Sequence, residues 1–199
     1  MSDNKHLPIE KHPLKPFLPE NAKILLLGSF PPQYHRWSMN FFYPNFINDM
    51  WRIMGIIFFN NKDHFVDNIH KSFKQKEIEL FCREKGIAIY DTATSIRRLK
   101  DNASDKFLEV VEATNIEVLL SSIPYCNAIV TTGEKATETL SLLFNCKTPK
   151  IGKFTTTSFH GRELKICRMP SSSRAYPLPL QKKAEIYREM LIHTGIFQE

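Results

Sequence analysis

The segment Ser38–Trp51, SMNFFYPNFINDMW, carries the residues best suited to chemistry in this sequence. Three consecutive aromatic residues, Phe41 to Tyr43, precede a predicted helix that carries Asn48. Aromatic faces stack on any nucleobase, and a side-chain amide can align a water molecule or an exocyclic group by one hydrogen bond. The combination suits recognition of a nucleobase. The alternative is that these aromatic residues, Phe41 and Trp51 above all, fasten the first turn of the helix to the core.

Small, hydroxylated and basic residues follow each of the four predicted strands. Ligands of open parallel sheets bind outside the carboxyl ends of the strands, so these loops predict a polar-ligand site at one edge of the sheet. Each loop taken alone is equally well explained as an ordinary strand end, because Ser, Pro and Gly are common there. The loops are Gly28–Pro32, Asp91–Lys100 with its basic Arg97, Arg98 and Lys100, Gly133–Lys135, and Pro170–Arg174.

Several familiar catalytic patterns are absent. None of the seven glycines has the spacing of a dinucleotide fingerprint or a P-loop. There is no His-Glu-x-x-His helix and no Gly-x-Ser-x-Gly elbow. The seven histidines are dispersed; His12 falls in a segment expected to be an arm or surface, and only His160, beside Gly161, suggests a role.

Two carboxylates and no lysine fall near the predicted site. Asp49 is expected to face solvent from its helix. Asp91 could contact a base or orient a water, but an Asp at a strand end is as often a turn or helix cap. Since no motif brings a lysine to the centre, a Schiff-base step is not expected.

The elements that must position these residues alternate along the chain. Four short apolar runs predict strands buried on both faces, and the amphipathic stretches between them predict crossover helices. Strands that alternate with helices predict an α/β fold, a three-layer α/β/α sandwich with a central four-stranded, mainly parallel sheet. The predicted strands are 23–27, 86–90, 127–132 and 164–169, with a possible short extra strand at 155–161; the predicted helices are 46–58, 75–85, 115–123, 134–144 and 180–193.

Composition is that of an ordinary folded protein. The chain has 199 residues, of which 42% are hydrophobic and 24% charged, and this composition excludes wholesale disorder and coiled coils. The net charge of +6 and the pI near 9.1 are compatible with a nucleic-acid partner. Prolines at 8, 13, 16 and 19 predict an extended arm over residues 1–20 and one domain over 21–199. Without a secretory signal or an apolar span, a cytoplasmic, monomeric protein that does not bind membranes is expected.

Five short motifs, in order, resemble the uracil-DNA glycosylase superfamily, and most closely its hypoxanthine-DNA (deoxyinosine) glycosylase branch. The resemblance runs from Asn21 to about Met190. The motifs are LLLGSFPP (25–32), YPNFINDMW (43–51), IYDTAT (89–94), TTGEKA (131–136) and MPSSSRAYP (169–177). The four scattered cysteines, at 82, 126, 146 and 167, differ from branches that hold an iron–sulfur cluster, so the resemblance implies an enzyme without metal or other cofactor.

The resemblance implies a monofunctional DNA N-glycosylase that flips a deaminated base, uracil or hypoxanthine, and excises it from DNA in base excision repair. Asn48 is then the main catalytic residue and Asp91 a second one. The implied base pocket consists of Gly28, Ser29, Phe30, Pro31, Phe42 and Tyr43. The implied DNA contacts are Ser171, Ser172, Ser173 and Arg174, with Arg97, Arg98 and Lys100 as further phosphate partners.

Two departures leave other functions open. Pro32 stands where the branch commonly has glycine, and Arg174 and Tyr176 replace the Pro and Asn that often follow its serines. A module of the same fold that binds nucleic acid without cleaving it would fit these changes. A small-molecule nucleoside hydrolase is a third possibility, supported only by analogy of fold.

Overall fold

A five-stranded sheet forms the centre of the fold in the computed structural model, which describes residues 6–100 and 105–198. The strands are β1 (Ile9–Lys11), β2 (Ile24–Gly28), β3 (Val66–Asp67), β4 (Ser72–Phe73), β5 (Ile87–Asp91), β6 (Ala93–Arg98), β7 (Leu108–Ala113), β8 (Ala128–Thr132), β9 (Lys153–Phe159) and β10 (Arg162–Met169). The helices are α1 (Met50–Phe59), α2 (Gln75–Lys85), α3 (Ile116–Ser122), α4 (Glu134–Leu143) and α5 (Leu180–His193).

The central sheet has the order β5-β2-β8-β10-β9. Its first four strands are parallel and match the four predicted from sequence, and β2, β5 and β8 are buried along their whole length. The sheet has a fifth strand beyond the predicted four, since β9 pairs antiparallel with β10 at the edge. The two residues between them, His160 and Gly161, both have positive φ, which suits a tight hairpin turn. His160 is therefore a turn residue.

Helices cover both faces of the sheet, as the predicted three-layer sandwich requires. Helix α2 packs on β5, α4 packs on β8 and β10, and α5 packs against α1 and β10. The core consists of the strand residues and the apolar faces of these helices, including Trp51 and Tyr187. The carboxyl ends of β2, β5, β8 and β10 thus meet at one edge.

A second, three-stranded sheet holds the N-terminal arm. Its order is β1-β6-β7, with both pairs antiparallel. The sequence predicted a loop over Asp91–Lys100, where the structure has β6, and no element where it has β7. The arm continues past β1 to Phe17, whose backbone exchanges two hydrogen bonds with Ile89 of β5 at 3.0 and 2.9 Å. Residues 9–17 of the arm are therefore attached to both sheets.

Candidate functional site

A cleft of about 1260 Å³ opens at the carboxyl edge of the central sheet. The turns that follow β2, β8 and β10 line it, as do Asp91 at the end of β5 and the segment that leads into α1. The cleft therefore lies where the rule for open parallel sheets puts a ligand site. Of the residues chosen from sequence, those in the cleft wall are Gly28, Ser29, Phe30, Pro31, Phe42, Tyr43, Asn48, Asp91 and Ser171 to Arg174.

Asn48 lies in this wall immediately before α1. Its Oδ1 accepts a hydrogen bond from the backbone N–H of Met50 at 2.9 Å, which fixes the amide at the start of the helix. The helix begins at Met50 rather than at Phe46 as predicted, because the preceding residues pair with another loop: Asp49 N donates to Ser172 O at 2.9 Å. An amide oxygen has two lone pairs, so the Asn48 oxygen retains one for a ligand or a water.

A buried arginine that sequence reasoning missed supports the same segment. Arg52 donates from Nη1 to the carbonyls of Phe46 and Asn48 at 2.8 and 3.1 Å, and its guanidinium lies over the Phe46 ring. Burial, with the charge of Arg174 next, lowers the pKa of Arg52 from its usual value. The guanidinium thus fixes the backbone that carries Asn48.

The loop Ser171–Ser173, here called the serine loop, packs directly on the Asn48 segment. Asn48 and Ser173 form an isolated antiparallel bridge. The Ser171 and Ser173 hydroxyls accept hydrogen bonds from the backbone two residues ahead, at 3.2 Å each. Since a hydroxyl that accepts one bond still has its O–H to donate, both can bind an anionic oxygen.

Asp49 is buried, and the expectation that it faces solvent is wrong. Its Oδ2 accepts from Nζ of Lys183 at 3.1 Å, and its Oδ1 accepts from Nε and Nη2 of Arg174, both at 3.2 Å. The Lys183 side chain is 1% exposed and also donates to Ser173 O at 2.7 Å. This ion pair joins α5 to the start of α1 and to the serine loop. The Arg174 guanidinium is bound to Asp49 through Nε and Nη2, yet the side chain is 50% exposed and can be reached from solvent.

Asp91 ends β5 on the floor of the cleft and contacts the loop Gly28–Pro32, here called the Gly28 turn. A Cβ added to Gly28 would overlap Asp91 Oδ1, so only glycine leaves room for the carboxylate in this position. The other oxygen, Oδ2, lies 2.9 Å from Nε2 of His12, which reaches it from the N-terminal arm. Sequence reasoning missed His12 because it is 79 residues from Asp91 in the chain.

The contact between Gly28 and Asp91 predicts the result of a double-mutant cycle. We expect Gly28→Ala to lower the free energy of unfolding by about 1–3 kcal/mol, because the added methyl must displace the carboxylate. In an Asp91→Ala background the same substitution should cost much less, since the overlapping atom is gone. Urea unfolding of the four proteins measures the coupling. Equal costs in both backgrounds would contradict the assignment.

The aromatic residues near the cleft differ in how firmly they are fixed. Phe42 packs in the main core, and Phe30 packs with Ala93 and Ile96 in a smaller cluster. Tyr43 is half-buried with φ 53°, an uncommon conformation for a residue with a side chain, and its hydroxyl is 3.0 Å from Thr132 Oγ1. All three line the cleft, whereas Phe41 and Trp51 are buried in the main core outside the cleft lining.

Three basic residues chosen from sequence lie outside the cleft lining. Arg97 and Arg98 lie on β6, where Arg97 pairs with Glu109 at 3.2 Å and Arg98 forms two hydrogen bonds to Glu10. Lys100 lies over the Phe107 ring. The cations that line the cleft with Arg174 are Arg36, Lys106, Lys135 and Arg168, of which the sequence analysis placed Lys135 alone at this edge of the sheet.

The cysteines are free, and three of them are buried. Burial raises the pKa of Cys126 to about 11 and that of Cys167 to about 12, so these thiols are protonated at neutral pH. Within residues 6–100 and 105–198, no three His, Cys, Asp or Glu side chains are grouped so that they could hold a metal ion. In the same ranges, no helix combines the length and apolarity needed to cross a membrane.

Comparison with solved structures gives a match over nearly the whole chain. A solution NMR structure of a protein from Methanosarcina acetivorans, described as a putative uracil DNA glycosylase, superimposes with a TM-score of 0.61. The alignment covers 94% of this chain and 99% of that one, at 22% sequence identity. The two chains share a fold. No protein-family model and no curated protein matches the sequence. At this identity, the reaction must be argued from the residues of the cleft.

Proposed function

We propose that this chain is a monofunctional DNA glycosylase that flips a deaminated base, uracil or hypoxanthine, and excises it to leave an abasic site. The observation that carries the proposal is that the Asn48 amide, the Gly28 turn and the serine loop line one cleft. The reacting atom of a nucleotide inside a duplex is out of reach of an enzyme's cleft, so the nucleotide must first leave the stack at a cost of a few kcal/mol, least where its pairing is already poor. Deaminated bases meet that condition.

Asn48 orients the attacking water in this mechanism. The bond between the anomeric carbon and the base breaks, the base leaves with the bonding electrons, and positive charge grows on the deoxyribose. The water oxygen then bonds to that carbon and the water proton is released. Because Met50 N–H fixes the Asn48 oxygen, the amide holds the water without reorganisation during the reaction.

The floor of the cleft receives the departing base. Backbone groups of Gly28 to Phe30 stabilise the charge that develops on it, and fixed dipoles act most strongly where water is excluded. The Tyr43 ring, aligned by its contact with Thr132, stacks on the flipped base, and Phe30 and Phe42 form the apolar wall beside it. Asp91 contacts the base or orients the water.

The rim of the cleft binds the DNA backbone. The serine loop and Arg174 contact the phosphates beside the flipped nucleotide and fill the gap that it leaves. Arg36, Lys106 and Lys135 supply further positive charge around the opening. We assign the phosphate contacts to these residues in preference to Arg97 and Arg98, whose guanidinium groups already pair with glutamates.

Incubation with a panel of oligonucleotides tests the proposed function. Duplexes and single strands carrying uracil, hypoxanthine, xanthine or a mismatched thymine are treated with the protein, and abasic sites are revealed by alkaline cleavage. Release of uracil or hypoxanthine is expected. Tight, salt-dependent binding with no release from any substrate would indicate a binding module instead, and cleavage of free nucleosides with little affinity for DNA would indicate a nucleoside hydrolase.

The proposed phosphate contacts predict a change in the salt dependence of DNA binding. We expect Lys106→Ala to weaken binding of undamaged duplex and to reduce the slope of log affinity against log salt by about 1, because one phosphate contact is lost. Lys76→Ala, on the exposed surface of α2 outside the cleft, is the matched control and should leave the slope unchanged. Equal slopes for the two variants would remove Lys106 from the DNA-binding surface.

A further inference from the structure

The N-terminal arm is attached to the domain on both sides of His12. Before it, β1 pairs with β6, and Glu10 binds the guanidinium of Arg98 with both carboxylate oxygens at 3.0 and 2.9 Å. After it, Phe17 forms its bridge with Ile89. Since Ile89 lies two residues before Asp91 on β5, these contacts bring the arm to the strand that ends in the cleft.

His12 is held in a single orientation between the arm and Asp91. Its side chain is 2% exposed, and its ring lies 4.6 Å from the Tyr90 ring and 5.2 Å, edge-on, from the Phe30 ring. Nδ1 lies 3.1 Å from the backbone N and 2.9 Å from the backbone O of Leu14, so either protonation state finds a partner on the arm. Nε2 is then the atom that donates to Asp91 Oδ2, because a carboxylate only accepts.

Two contacts place the Asp91 side chain. Its side chain is 11% exposed, its Oδ1 fills the space left by the missing Cβ of Gly28, and its Oδ2 is bound to His12. His12 itself does not line the cleft. It acts through Asp91, as the outer partner of a catalytic group fixes the group's rotamer.

We propose that His12 is a positioning residue for Asp91, and that the N-terminal arm is therefore part of the active site. The inference deepens the proposed glycosylase function and rests on it. A carboxylate that contacts the flipped base or the water must keep one geometry through the reaction, and the arm supplies the hydrogen bond that fixes it. The chemical step depends on this contact, while phosphate binding at the rim does not.

Three variants of the full-length chain test this inference. His12→Phe keeps a ring among Tyr90 and Phe30 but removes the donor, and His12→Gln restores an N–H donor. His70→Phe removes another His–Asp hydrogen bond, the one to Asp67 outside the cleft, and is the matched control. Single-turnover excision is followed at increasing enzyme concentration, so that the maximal rate separates from the half-saturating concentration, and thermal unfolding monitors the fold.

We expect His12→Phe to lower the maximal rate by about 10- to 100-fold with the half-saturating concentration unchanged. His12→Gln should recover most of the rate, and His70→Phe should stay within about twofold of the unaltered chain, because neither loses the bond to Asp91. A His12→Phe variant at full rate would overturn the inference. So would equal losses in His12→Phe and His12→Gln, since a merely structural role predicts no rescue by a donor.

A crystal structure of His12→Phe separates failure of this inference from failure of the proposed function. If the unaltered chain releases no base from any substrate, the glycosylase function is wrong, yet the positioning of Asp91 is still measured. The expected result is that the Asp91 carboxylate leaves the Gly28 turn. An unchanged Asp91 rotamer in this variant would overturn the inference, whether or not the protein acts on DNA.

Discussion

Asn48→Ala should reduce excision of the best base in the panel by at least about 100-fold, while binding of undamaged duplex stays within about threefold. The amide carbonyl is the acceptor that holds the water in the proposed mechanism, and removal of one such preorganised group costs about 10²–10³ in rate. Binding depends instead on the rim cations and the serine loop, which the substitution leaves intact. Single-turnover kinetics on a lesion duplex measure the first effect and filter binding the second.

Two further variants make the result specific to the amide. Asn61→Ala removes a side chain with the same local bond, Oδ1 to the N–H two residues ahead, but in the turn after α1 and outside the cleft. Its excision rate should not change. Asn48→Asp keeps an oxygen for Met50 N–H and for the water, so it should retain more activity than Asn48→Ala. If Asn48→Ala stays within tenfold of the unaltered chain, about 1.4 kcal/mol in barrier, Asn48 is not the principal catalyst.

The cleft could be predicted because its parts are local in sequence. Each parallel strand is a continuous apolar run ended by small or polar residues, and the topology rule brings those ends together. Gly28, Asp91 and Ser171 could therefore be assigned to one edge without knowledge of any contact between them. The start of α1 was predicted less accurately. Apolar periodicity carries no information about the hydrogen bond from Asp49 N–H to the serine loop, which delays the start of the helix.

The hairpin β6–β7 and the role of the arm depend on pairs that are distant in sequence. The sequence places Arg97 and Arg98 in a basic loop. Their acidic partners, Glu109 and Glu10, are distant in the chain and could not be identified from the neighbouring residues. His12 has no local signal either, because its partner on β5 is not near it in the chain. Whether a short polar segment forms a strand depends on the strands with which it pairs, and a single sequence does not show which segments those are.

The position of Lys183 on its helix could have predicted a buried ion pair from the sequence. The apolar face of α5 is formed by Ala184, Tyr187 and Leu191, and Lys183 lies on that face at helical spacing. A lysine there must be paired, because an isolated buried charge is too costly. The expected partner is an acidic residue that also looks misplaced, and Asp49, beside the apolar start of α1, is one.

Lys183→Met should lower the free energy of unfolding by about 3–5 kcal/mol, because it removes the buried cation that pairs with the buried Asp49 carboxylate, and the other partner in an ion pair, Arg174, is half-exposed. Ser173 O also loses its donor, so the serine loop loosens. Lys182→Met, one residue earlier on the same helix and in a solvent-exposed pair with Glu185, is the matched control and should leave stability unchanged within error. Urea unfolding measures both.

The double variant Asp49→Asn/Lys183→Met decides whether the cost comes from the charge or from packing. With neither buried charge present, we expect the double variant to be more stable than the sum of the single losses predicts, by about 1–3 kcal/mol. Strict additivity would mean that the two side chains do not interact, and a Lys183→Met protein as stable as Lys182→Met would mean that the pair is not buried. Either result would also remove the link by which α5 holds the serine loop against Asn48.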